Sequence, residues 1–78
     1  MITLRQFLSV MSDNTGVMVT LFNFDETELI TFNIVEYATI ESDILDRKVK
    51  AARLQKSPSE ITLKVTLFPA EELSGTND

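Results

Sequence analysis

The clearest periodicity in the chain lies towards its end, where Ile61, Leu63, Val65 and Leu67 alternate with Glu60, Thr62, Lys64 and Thr66. Successive side chains of a strand point to opposite faces, so this alternation predicts a half-buried strand over 61–67. Pro69 closes it, because proline has no N–H to give to a ladder. A different period opens the chain. Leu4, Phe7, Leu8 and Met11 recur at i, i+3, i+4 and i+7, one buried stripe of a short helix. Thr3-Leu4-Arg5-Gln6 reads as a capping box, and Ser12-Asp13-Asn14-Thr15-Gly16 as a stop, which together predict a helix over 4–12.

Between these two elements the apolar positions crowd. From Val17 to Phe24 nearly every residue is apolar, with Val17, Val19 and Leu21 on one face and Met18, Phe22 and Phe24 on the other. Asp25-Glu26-Thr27 predicts a three-residue hairpin loop. A second strand follows over 29–37, with Ile30, Phe32 and Ile34 together on one face. Ser42 is a good N-cap for a helical turn over 42–47, with Asp43 near its positive end. Residues 48–55 admit two readings. A continued helix is favoured by the Ala, Lys and Arg content, but Lys48 and Gln55 then fall inside its apolar arc. The strand is the reading adopted, since the segment sits one turn (56–59) before the clear strand at 61–67.

The expected architecture is α+β. An N-terminal helix packs on a four-stranded, mainly antiparallel sheet in the order αββαββ, forming one domain over 1–69 with an acidic tail over 70–78. At 78 residues the core is thin, because a chain of this size buries only roughly 60% of its unfolded surface. The doubly apolar first hairpin exceeds what one short helix can cover, which predicts a homodimer through the open sheet face or its edge.

Composition narrows the chemistry. There is no cysteine, histidine or tryptophan, which removes thiolate and imidazole ligands and the usual general base. The six serines therefore have no histidine to activate them, and the two glycines form no phosphate loop. No enzyme, cofactor or metal is expected. The acidic run at Asp25, Glu26 and Glu28 lacks the spacing of a calcium loop. No apolar run approaches the roughly 20 residues of a membrane span, and no secretory signal is seen, so a cytoplasmic protein is expected.

Charge is the remaining signal. From Gln6 to Asp46 there are eight carboxylates and neither Lys nor Arg, whereas Arg47 to Lys64 holds six cations against Glu60 alone. The net charge is −5, which disfavours direct nucleic-acid binding and invites a basic partner. The candidate partner-binding residues are Asp25, Glu26, Glu28, Glu36, Glu41, Asp43 and Asp46.

A capped L-R-Q-F-L helix, D-N-T-G-V before a hairpin, and L-D-R-K-V before two further strands resemble small proteins carried by bacteriophages and mobile elements of Gram-positive bacteria. As small, acidic, cysteine-free chains these resemble the anti-CRISPR and other anti-defence proteins. The resemblance implies a non-enzymatic inhibitor acting in the host cell on a defence nuclease, most plausibly a CRISPR effector, with carboxylates standing in for nucleic-acid phosphates. The alternative is a small oligomeric structural or assembly protein of a phage, with no inhibitory target. Segregated acids and bases favour the first reading. Interleaving on neighbouring strands would make the charges pair within the domain.

Overall fold

The computed structural model describes residues 2–11, 13 and 15–69, so the expected tail over 70–78 lies outside it. Both halves of the capping box form: the Gln6 N–H donates to Thr3 Oγ1 at 3.2 Å, and the Thr3 N–H donates to Gln6 Oε1 at 3.0 Å. Helix α1 runs over Leu4–Ser9 and stops earlier than the expected 4–12. The Ser9 hydroxyl donates to the Gln6 carbonyl at 2.9 Å, one carbonyl of the last turn, and Val10 caps the end. Gly16, at φ +88°, turns the chain into the first strand, a conformation that glycine adopts without steric cost.

Four strands follow: β1 (Val17–Phe22), β2 (Glu28–Asn33), β3 (Val49–Lys56) and β4 (Ile61–Leu67). Their order across the sheet is β2-β1-β4-β3. The outer pairings are antiparallel, but the two central strands run parallel, with Val17, Val19 and Leu21 opposite Ile61, Leu63 and Val65. The sheet is therefore mixed. Parallel neighbours cannot be joined by a hairpin, and here everything from β2 to β3 forms the crossover.

That crossover corrects the second strand. Its pairing with β1 ends at Met18 opposite Asn33, and Ile34–Thr39 is a 3-10 helix where a strand to 37 was expected. Asn33 decides the change, because its side-chain oxygen accepts the Val35 N–H at 3.1 Å and offers the backbone an alternative to the ladder. Helix α2 then occupies Ser42–Leu45, with Glu41 and not Ser42 at the N-cap. Residues 49–56 form a strand, as adopted above. Long-range pairing holds them there: the seven-position register with β4 runs from Val49 opposite Leu67 to Lys56 opposite Ile61, with Lys50 bulged out. The amino terminus joins the same edge, through a Thr3–Lys48 bridge and bonds from Leu4 N–H to Arg47 O and Val49 N–H to Ile2 O.

The core lies on one face of the sheet. Val17, Val19, Leu21, Phe32, Leu63, Val65 and Leu67 are buried in one cluster with Leu4, Leu8, Ile34 and Leu45 from the helical segments. The nearest elements to α1 are the 3-10 helix and α2, so three short helical pieces divide the covering role assigned to one helix. The opposite face is largely polar, presenting Thr20, Thr31, Thr62, Lys64 and Thr66 around Met18 and Phe22. Thr20 and Thr31 face each other there, with hydroxyls 3.0 Å apart. The second face of the first hairpin is thus less apolar than its sequence suggests, because Phe24 leaves the strand for the turn.

Leu21 is fully buried on a central strand, so Leu21→Ala should cost about 2–5 kcal/mol, a large part of the roughly 4–12 kcal/mol available to a domain of this size. Leu54→Ala, at a half-exposed position of β3, should change stability by less than about 0.5 kcal/mol. Urea denaturation followed by circular dichroism reads both. Equal losses at the two sites would contradict this placement of the core.

Candidate functional site

The seven candidate carboxylates are all exposed, but they do not form one cluster. Asp25, Glu26 and Glu28 occupy the β1–β2 hairpin. Glu41, Asp43 and Asp46 surround α2. Glu36 lies apart, on the 3-10 helix that leaves the opposite end of β2. The first two groups are tied to a common end of the molecule by Arg47. Its Nη1 donates to Asn23 Oδ1 at 3.1 Å and its Nε to the Phe68 carbonyl at 2.8 Å. The residue beside Asp46 is thereby anchored two residues from Asp25. Among the described residues, no group of His, Cys, Asp and Glu is arranged to hold a metal ion.

The hairpin has a definite shape. Asn23 N–H donates to Thr27 O and Glu26 N–H to Asn23 O, both at 2.8 Å, closing a three-residue loop over 24–26. Such loops need a left-handed residue in third place, usually Gly or Asn. Here it is Glu26, at φ 71°. Asp25 Oδ1 accepts the Thr27 N–H at 3.0 Å. Bonds from the Thr27 side chain and then its backbone hold the Asp25 carboxyl below its ordinary value of 3.8. The turn thus favours the ionised form of Asp25 and leaves Glu26 exposed beside Phe22 and Lys64.

Around α2 the acids are less free. Asp46 Oδ1 lies 3.2 Å from Arg5 Nη2, an ion pair between exposed side chains that contributes little to stability but cancels one charge of the acidic segment. The cations of the basic segment are sorted elsewhere. Lys50, Arg53 and Lys56 sit on β3, the edge opposite β2, and Lys64 lies on β4 between them and the acidic hairpin. The hairpin carboxylates and the cations of β3 and β4 do not alternate along paired strands, although Glu26 shares a recess with Arg53 and Lys64.

One constellation had no local signal in the sequence. Phe24 and Phe68 stack with centroids 5.8 Å apart, and Lys50 Nζ lies 4.6 Å above the Phe24 ring. Together with Arg47 they clamp the hairpin to the far ends of β3 and β4. The partners are separated by 21 to 44 residues (Phe24 to Lys50, Arg47 to Phe68 and Phe24 to Phe68), so spacing alone does not reveal them. No protein-family model, curated protein or solved structure matches this chain.

Two variants test the hairpin. Glu26→Gly should stabilise the domain by about 1 kcal/mol, since glycine takes the left-handed conformation without the steric cost that glutamate bears. Asp25 has a folded value below its unfolded one, so its contribution is fully present above 3.8 and is lost as pH falls through the lower folded value. Asp25→Ala should therefore flatten the acid side of the stability–pH curve below about 4 without changing its slope above pH 6. Thermal denaturation from pH 2 to 7 reads both effects. An unchanged acid limb would remove the Asp25–Thr27 bond from this account.

Proposed function

We propose that this protein is a non-enzymatic binding protein that occupies a basic surface of a macromolecular partner, with the acidic hairpin as its leading contact. The target class implied by the resemblance to phage anti-defence proteins is a host nuclease, a CRISPR effector first among them. The observation that carries the reading is the exposed trio Asp25, Glu26 and Glu28 on one hairpin. It sits on an edge of the sheet that has no Lys or Arg, and it is held by a turn that keeps Asp25 ionised. Three exposed carboxylates on one hairpin offer acceptors to Arg and Lys side chains that otherwise hold phosphates. The α2 acids Asp43 and Glu41 extend the contact, Asp46 is partly spent on Arg5, and Glu36 stands outside it.

A second reading draws on different residues. Leu29 and Ile30 are exposed on β2, an unpaired sheet edge, and Val35 lies exposed just beyond it. Bare apolar edges favour strand addition, so self-association through β2 supports the assembly-protein alternative. The two readings put sensitivity on different side chains.

Replacing Asp25, Glu26 and Glu28 by Lys should weaken capture of a purified effector nuclease by at least about tenfold and reduce the salt dependence of what remains. Unaltered capture by this triple variant would end the acidic-contact mechanism. For the alternative, light scattering at micromolar concentration should report twice the 8.8 kDa chain mass, falling to one chain mass in Ile30→Lys. A monomer before the substitution would discard assembly through this edge.

A further inference from the structure

The polar face of the sheet contains a recess of about 270 Å³ lined by Phe22, Glu26, Ala51, Arg53, Lys64 and Thr66. Two of its walls are cations set directly opposite each other on neighbouring antiparallel strands, Arg53 on β3 and Lys64 on β4. Like charges in that position destabilise a sheet. Neither forms an ion pair with a carboxylate among the described residues, although Glu26 lines the same recess. The next pair on the same face has small side chains, Ala51 opposite Thr66, so nothing bulky fills the space beside the two charges. Phe22 is half-buried and provides the one aromatic surface.

Glu26 adds an independent observation. It reaches this recess from a left-handed backbone position that glycine would occupy at lower cost. A carboxylate on one side, two cations on the other and a ring between them make a bipolar site. Its volume lies just below the range of pockets that enclose drug-sized molecules.

We propose that the recess binds a nucleoside monophosphate whose base carries an amino group. The phosphate sits between Arg53 and Lys64, with the Thr66 hydroxyl as a further donor. The base lies against the Phe22 ring, and its amino group donates to Glu26. Arg53 suits this role because its planar fork meets two phosphate oxygens at once. The anion also removes the cross-strand repulsion, so the unfavourable Arg53–Lys64 pairing becomes favourable only in the complex. This site is separate from the proposed protein contact apart from Glu26, and it stands whether or not that contact exists.

The test titrates the full chain with AMP, adenosine and inorganic phosphate, followed by backbone amide shifts in NMR. AMP should bind saturably, with the largest shifts at Phe22, Arg53, Lys64 and Thr66. Adenosine and phosphate should each bind at least about tenfold more weakly, since each keeps only part of the contacts. Arg53→Gln combined with Lys64→Gln should abolish the AMP shifts while leaving the melting temperature equal or higher, because a repulsive pair has been removed. Glu26→Gln should weaken AMP but not phosphate. The proposal is overturned by AMP shifts that do not saturate or spread over other faces. It is equally overturned by phosphate binding as tightly as AMP, or by AMP binding that survives the double substitution.

Discussion

The parallel pairing of β1 with β4 is the constraint on which the rest of this small fold depends. These strands carry Val17, Val19 and Leu21 against Ile61, Leu63 and Val65, the centre of the buried cluster. Parallel strands need a crossover, and a thin domain has few residues to make one. The chain meets the demand by ending β2 at Asn33 and leading through a 3-10 helix and α2 before entering β3. Ile34 and Leu45 from this connection complete the core beside Leu4 and Leu8 of α1. The crossover is therefore both connection and cover, which is why no long helix is required.

The same topology sorts the charge. Because β1 and β4 are central, β2 and the basic strand β3 fall on opposite edges of the sheet, with Glu26 of the hairpin reaching a recess that Arg53 and Lys64 also line. Had β2 and β3 been neighbours, their carboxylates and cations would have been within reach of one another and largely cancelled. What unites the two halves is instead a polar and aromatic clamp at one end, with Arg47 on the Asn23 side chain and the Phe68 carbonyl, and Lys50 on the stacked Phe24 and Phe68 rings. The bulge that releases Lys50 from the β3 ladder permits this contact. Local irregularity and long-range fastening go together here. The proposals for function meet at Glu26, which belongs to the hairpin and also lines the recess with Arg53 and Lys64.

Much of the fold was legible in local pattern. Thr3 and Gln6 announced the capping box, the alternation at 61–67 its strand, and Asp25-Glu26-Thr27 a hairpin, whose three-residue loop closes one position earlier, over 24–26. Each rests on interactions within a few residues. Reading failed where a local signal was ambiguous or was overruled. Ile34, Val35 and Tyr37 are β-branched or aromatic, which favours a strand, yet the pairing with β1 ends at Met18 and the Asn33 side chain captures the Val35 N–H. Met18 and Phe22 seemed to require a second cover, but their neighbours on that face are polar, Asn33 and Glu28 from β2 and Thr62 and Thr66 from β4.

The sequence by itself determined the capped helix α1, the strands β1 and β4 with their inward faces, the absence of histidine and thiol chemistry and the segregation of charge into two blocks along the chain. These follow from residue type and spacing, which act over one or two turns of chain. Tertiary structure alone decided that the central strands run parallel, that Arg47 joins Asp46 to the hairpin, and that Arg53 stands opposite Lys64 beside Phe22 and Glu26. Such juxtapositions arise from strand order and register. Those are set by how eleven buried side chains fill one common core, and no local window of the sequence contains that sum.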